Sequence, residues 1–83
     1  MATAAAHDLI PLSFLSPGQT ASIAAVLGAS DLVHRLREMG LRDGAEVQMI
    51  QPGRPCLIRL GNLRLGVRSD ELTGVLVRPG AWA

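Results

Sequence analysis

Apolar and polar residues follow each other in short runs along this chain, and glycine or proline interrupts the runs every few residues. Within several runs the side chains alternate with the period of two that is typical of a half-buried β-strand. The pair Gly61-Asn62 between two such runs indicates a two-residue hairpin turn. The pattern predicts about five strands, over residues 20–26, 45–50, 56–60, 63–67 and 74–78.

One segment has the period of a helix instead. Ser30 is placed to cap its first turn, and Asp31 follows at a position where the helix dipole favours an anion. Three apolar residues then recur at i, i+4 and i+7, which places them on one face: Leu32, Leu36 and Met39. The sequence therefore predicts one amphipathic helix from residue 30, and a second, single helical turn over residues 69–72.

The helix is expected to end at Gly40. Glycine adopts a left-handed conformation at little cost, so it can turn the chain just after the last helical residue. Leu41 would then fold back onto Leu36, which is the apolar contact that accompanies a Schellman ending. The sequence thus predicts a helix that is closed by a left-handed turn and leads at once into the next strand.

Short strands in this number favour a small, partly open barrel, because closing the sheet hides its edge strands. The helix would cover one end of that barrel. Gly66 interrupts an otherwise regular strand and predicts a kink or a close approach of two backbones. A chain of 83 residues has room for one core. We expect a single domain over residues 9–83, preceded by a flexible N-terminal tail over residues 1–8.

Composition and charge narrow the classes of function. The chain is 48% hydrophobic and 18% charged, with a formal net charge of +1, so we expect it to fold and to exert no strong field on nucleic acid or anionic lipid. All 8 basic residues are arginines, whose planar guanidinium suits carboxylates at interfaces. A single cysteine, no signal-peptide pattern and no long uninterrupted apolar stretch predict a cytoplasmic protein without membrane insertion.

Few residues indicate chemistry of their own. His7, His34 and Cys56 are the soft metal ligands, and no two of them have the spacing of a metal site. The acidic pair Asp70-Glu71 is more typical of a solvated turn that caps a short helix than of a hard-cation site. No nucleophile stands in a known motif with a base. We therefore predict neither enzymatic activity nor a cofactor nor a metal bound by one chain.

Arg59, Arg64 and Arg68 lie at alternate positions along the predicted hairpin and point outward. Such a row can bind phosphate, but Phe14 and Trp82 are the aromatic residues of the chain and offer no stacking platform for single strands. A protein interface and a solvated sheet face are the two interpretations that remain for this row. Nucleic acid is not expected as a partner.

Three motifs along the chain read PLSFLSPGQTASI, RLREMGLRDGAEV and LRLGVRSDELTGVLV. In this order and at this spacing they resemble the FeoA family, the small SH3-like proteins encoded with the FeoB ferrous iron transporter. Two features depart from its pattern. Asp43 stands where the family often has proline, and the connection over residues 51–54 is shorter than usual. The resemblance implies a mainly β, SH3-like barrel of about five strands with one short α-helix.

The resemblance also implies a partner, and a separate hypothesis concerns the surface that binds it. The partner would be the cytoplasmic part of a FeoB-type transporter, whose assembly or nucleotide cycle the chain would modulate. An alternative is a stand-alone, metal-linked regulatory domain similar to the C-terminal barrel of DtxR-type repressors, and exposed apolar residues at the helix end also fit a homo-oligomer. We expect partner-binding residues at the helix, its ending and the adjacent arginines: Arg35, Glu38, Met39, Gly40, Leu41, Arg59 and Arg68.

Overall fold

The computed structural model describes residues 9–82, so the tail predicted for residues 1–8, with His7, lies outside the described residues. Residues 9–82 form six strands, one α-helix and two 3-10 turns. The strands are β1 (Ile10–Pro11), β2 (Gln19–Val26), β3 (Glu46–Gln51), β4 (Cys56–Leu60), β5 (Leu63–Val67) and β6 (Val75–Trp82). The helix α1 covers Ser30–Glu38, and the 3-10 turns cover Leu12–Phe14 and Ser69–Leu72.

All of these strands belong to one antiparallel sheet with the order β1-β6-β2-β3-β4-β5. The predicted mainly β fold, a small and partly open barrel with one short helix, is confirmed, and its strands form one open sheet. The described residues contain six strands where about five were predicted. The additional strand is β1, whose Ile10 and Pro11 pair with Val77 and Leu76 of β6 before the chain enters the first 3-10 turn.

Two predicted boundaries are wrong. Strand β6 continues past Pro79 to Trp82, because β2 keeps pairing with it through a register shift that absorbs the missing proline N–H. Helix α1 has Ala29, not Ser30, at its N-cap, and no side chain caps it. The carboxylate of Asp31 instead accepts a hydrogen bond of 2.9 Å from the backbone N–H of Leu32.

The core lies between the curved sheet and the inner side of the helix end. Alternate residues of β2, β3, β4 and β6 point into it, as the period of two predicts. Helix α1 adds Leu36, and the turns on either side of the sheet add Leu12, Leu41 and Leu72. The largest of the fully buried side chains are Leu12, Leu15, Ile23, Leu36, Leu41, Met49, Ile58 and Leu72.

The closest backbone approach at a glycine is at Gly74, not at Gly66 as predicted. A Cβ atom added at Gly74 would lie 2.2 Å from the carbonyl oxygen of Leu27, whose N–H donates to the Gly74 carbonyl at 2.8 Å. At Gly66 an added Cβ would lie 3.5 Å from Leu57 Cδ2, which is an ordinary contact. Glycine is therefore required where β2 and the start of β6 meet, since only the missing side chain lets those backbones touch.

Replacing Gly74 by alanine is expected to lower the free energy of unfolding by about 2 kcal/mol or more, because the backbone of Leu27 has to move. The matched control, Gly66→Ala, is expected to change that free energy by less than about 1 kcal/mol. Urea denaturation of the two variants and the unmodified chain provides the measurement. An equal loss of unfolding free energy in the two variants would show that the close backbone contact at Gly74 does not determine the effect of the substitution.

Candidate partner-binding surface

The ending of helix α1 has the predicted geometry. Gly40 has a φ of +107°, and its N–H donates to the carbonyl of Arg37 at 3.0 Å. The N–H of Leu41 donates to the carbonyl of Leu36, also at 3.0 Å. These two hydrogen bonds define a Schellman motif, and Leu36 and Leu41 are both fully buried beneath it. The turn therefore satisfies the last helical carbonyls and seals the end of the helix at the same time.

A shallow hollow lies between this turn and the outer face of the sheet. We call it the helix-end hollow; its lining includes Gly40, Glu46, Gln48, Arg59 and Gly61. Gln48 of β3 pairs with Arg59 of β4, and the Arg59 side chain is exposed to solvent. Two residues predicted to bind a partner, Gly40 and Arg59, thus meet at one concave surface although 19 positions separate them in the sequence.

The charged residues predicted on the helix have partners within the chain. Arg35 forms an ion pair with Glu71 of the second 3-10 turn, which ties the helix to the segment after β5. The Nε2 atom of His34 lies 3.1 Å from Oε2 of Glu38, one helical turn away. The His34–Glu38 pair is solvated and contributes little stability, whereas the Glu71 side chain of the other pair is only 24% exposed. Sequence reasoning missed Glu71, because a separation of 36 positions leaves no local signal.

Leu41 and Arg68 differ from the expectation of a shared surface. The side chain of Leu41 has no exposed area, so it supports the helix-end hollow from within the core and offers no contact to a partner. Met39 is half-buried and retains some surface. Arg68 does not lie next to the helix end; it lines a separate cleft with Arg54 and Pro55 at the other end of the β4–β5 hairpin.

The outer face of the hairpin carries a cross-strand pair of like charges. Arg59 of β4 faces Arg64 of β5, both side chains are exposed, and the ion pairs found within residues 9–82 include neither of them. Like charges directly opposite each other on neighbouring strands repel and destabilise the pairing. The predicted outward alternation of these arginines is confirmed, and it has a cost in stability.

Cys56 is the small buried hydrophobe that its position suggests. Its Sγ atom lies 3.6 Å from the Sδ atom of Met49, and burial raises the pKa of its thiol. Within residues 9–82, no group of three or more His, Cys, Asp or Glu side chains comes together to hold a metal ion. No helix in that range is both long enough and apolar enough to cross a membrane.

The FeoA domain model matches residues 10–79, which is nearly the whole of the folded part. The chain belongs to the FeoA family. A comparison with curated protein sequences found no match.

Two solved structures show how closely the fold follows the FeoA family. An iron uptake regulatory protein (FeoA) superposes with a TM-score of 0.82 at 28% identity, over 88% of this chain and 100% of that one. FeoA of Stenotrophomonas maltophilia, solved with zinc, superposes with a TM-score of 0.77 at 34% identity, over 89% of this chain and 99% of that one. The latter is described as a prokaryotic SH3 domain protein, which confirms the SH3-like part of the predicted fold.

The same barrel also occurs in larger regulatory proteins. IdeR of T. acidophilum superposes with a TM-score of 0.80 at 18% identity, over 87% of this chain and 34% of that one. A manganese-dependent transcriptional repressor superposes with a TM-score of 0.78 at 9% identity, over 87% of this chain and 42% of that one. At these identities the likeness shows the fold alone. Membership in the FeoA family connects the chain to ferrous iron transport and to the Feo transport system.

Replacing Gly40 by valine is expected to lower the free energy of unfolding by about 2 kcal/mol or more, because a β-branched residue is strained at a positive φ. Gly40→Asn is the matched control and is expected to lose less, since asparagine tolerates left-handed backbone better. Thermal unfolding followed by circular dichroism measures both variants. A melting temperature of Gly40→Val equal to that of the unmodified chain would show that valine is not strained at this backbone position.

The raised pKa of the Cys56 thiol predicts how stability depends on pH. The buried thiol ionises at a higher pH than the unfolded thiol, whose pKa is about 8.5, so the contribution of this thiol to the free energy of unfolding is constant below that pH and falls above it. The chain contains no lysine and no tyrosine that would titrate in the same range. Urea unfolding between pH 7 and pH 10 under reducing conditions is the measurement; the slope is expected to disappear in Cys56→Ala, and an unchanged slope would refute its assignment to this thiol.

Proposed function

We propose that this chain is a non-enzymatic, cytoplasmic accessory protein that binds the cytoplasmic part of a FeoB-type ferrous iron transporter and modulates its assembly or nucleotide cycle. The observation that carries the proposal is the FeoA domain match over residues 10–79, with a fold that follows FeoA structures over their full length. An adaptor of this kind acts through a surface, so the proposal depends on which surface contacts the transporter.

The helix-end hollow is the proposed contact. It combines a fixed backbone shape at Gly40 with the exposed guanidinium of Arg59, which is free of ion pairs within residues 9–82. A transporter carboxylate can pair with this guanidinium in two parallel hydrogen bonds. Met39 is half-buried next to Gly40 and would supply an apolar contact, whereas Glu38 lines a neighbouring cleft with His34 and Arg42 and would supply a charge there. Arg68 would add a second cationic contact at the far end of the hairpin.

Arg35 has a different proposed role from the one expected at first. Its ion pair with Glu71 holds the helix against the second 3-10 turn. Arg35 therefore positions the helix end. Exchanging Glu71 for a transporter carboxylate would gain little free energy, because one ion pair replaces another of the same kind.

A metal-linked regulatory domain is the second candidate function. The observation that favours it is the zinc complex of the Stenotrophomonas maltophilia FeoA, which is 34% identical to this chain. This function predicts that a divalent metal stabilises the purified chain by itself, because a ligand that binds only the folded state raises the melting temperature.

Calorimetric titration of the purified chain with the cytoplasmic part of the FeoB-type transporter, with and without ferrous iron, tests the proposal. Binding that does not depend on the metal is expected, with a loss of at least about ten-fold in affinity for Arg59→Glu. Arg78→Glu makes the same charge change on the outer side of β6 and is expected to bind like the unmodified chain. No binding, together with metal-dependent stabilisation of the chain alone, would replace the adaptor proposal by the regulatory one.

A further inference from the structure

The two edge strands of the sheet differ in the backbone hydrogen-bonding groups that they leave unpaired. Strand β1 forms one edge; it has two residues, and its Pro11 lacks a backbone N–H. Strand β5 forms the other edge; it has five residues, contains no proline and pairs only with β4 among the described residues. An edge of that kind offers unpaired backbone groups to a further strand.

The hairpin turn fixes which backbone groups of β5 face outward. Leu60 and Leu63 flank the two-residue turn and form a hydrogen-bonded pair, so the next pair, Arg59 with Arg64, is not hydrogen-bonded. The N–H and C=O groups of Arg64 therefore point away from β4, and those of Gly66 do the same two residues later. These four backbone groups form the hydrogen-bonding pattern of the open edge.

The side chains of β5 present a different chemistry on each face. On the outer face, Arg64 stands beside Arg59, and the side chains of Leu57 and Pro55 lie next to Gly66. On the face that continues the core, Leu63 is 60% exposed and Leu65 is partly buried. A segment laid along this edge would meet the positive charge of Arg64, with Arg59 behind it, on one face and apolar surface on the other.

The charges around the hairpin favour an acidic strand as the segment that pairs with the β5 edge. Arg54 and Arg68 lie at the far end of β5 and share their cleft with one acid, Asp70, while Glu46 lies near Arg59 in the helix-end hollow. The hairpin region thus has four arginines and two carboxylates. A second copy paired through β5 would place its own Arg64 diagonally across from this one and add to the repulsion. An acidic strand would relieve the repulsion between Arg59 and Arg64.

We propose that the β5 edge binds an extended acidic segment of a partner protein as a seventh strand of the sheet. The segment has carboxylates at alternate positions that pair with Arg64 and Arg59, and apolar residues between them that cover Leu63 and Leu65. Its backbone pairs with the outward groups of Arg64 and Gly66. This surface is separate from the helix-end hollow except for Arg59, and the inference stands whether or not the partner is the iron transporter.

Binding of synthetic peptides to the purified chain tests the inference without the transporter, so its failure is distinguishable from failure of the proposed function. The probe is the amidated peptide Ser-Glu-Val-Glu-Val-Glu-Ser, observed through amide NMR signals of the isotope-labelled chain. Saturation is expected to shift the Arg64 and Gly66 amide signals and to slow exchange of their protons at least about ten-fold. Shifts confined to the helix-end hollow, or no binding at millimolar peptide, would overturn the inference.

Two modified peptides separate strand pairing from simple charge attraction. N-methylation of one alternate set of residues is expected to abolish binding, and N-methylation of the other set to leave it intact, because only one set faces β5. A peptide with lysine in place of glutamate is expected not to bind. Equal binding of both methylated peptides, or binding of the lysine peptide, would contradict strand addition to a basic edge.

Charge reversal in the protein completes the test. Arg64→Glu is expected to weaken binding of the acidic peptide at least about ten-fold, to confer binding of the lysine peptide, and to raise the melting temperature by about 2–4 °C by removing the repulsion with Arg59. Arg78→Glu is the matched control and is expected to behave like the unmodified chain. An equal loss in both variants would overturn the inference, as would a dimer in sedimentation that the acidic peptide fails to dissociate.

Discussion

The left-handed turn at Gly40 connects the helical and the sheet parts of this small barrel. Helix α1 has nine residues, which is too short for a helix to be stable alone in water. Its stability comes from Leu36 inside the helix and Leu41 beyond the turn, both fully buried in the common core. The turn brings those two side chains to the same place and sends the chain into β3, in the middle of the sheet. One backbone conformation thus sets the helix, the core layer beneath it and the hollow above it.

The outer face of the sheet differs from the core in how its polar and charged groups are paired. Inside, alternate residues pack without polar atoms that lack a partner among the described residues. Outside, the arginines of the β4–β5 hairpin repel each other and find no acidic partner within residues 9–82. A small domain has little stability to spare. The repulsion between Arg59 and Arg64 would be relieved in a complex in which carboxylates of a partner pair with the two guanidinium groups.

The sequence pattern was sufficient where local physics decides the structure. Strands β4 and β5 have the predicted bounds, because alternation on both sides of Gly61-Asn62 leaves one register. The sequence pattern did not predict the features that depend on contacts between residues far apart in the sequence. The two-residue strand β1 is too short for a periodic signal, the Arg35–Glu71 ion pair spans 36 positions, and the need for glycine at position 74 arises from the backbone of Leu27. For the site, the pattern placed Gly40 and Arg59 together but could not foresee that Leu41 is covered and that Arg68 belongs to another cleft.

The difference between the two sheet edges also limits how copies of this chain can associate. Growth of a fibre through strand pairing needs two usable edges on each molecule, so that every copy both accepts a strand and donates one. Pro11 and the two-residue length of β1 close one of the two edges. Pairing through β5 can therefore join at most two copies of this chain and cannot propagate from copy to copy. The fold thus leaves one edge open to a strand while it is protected against open-ended polymerisation.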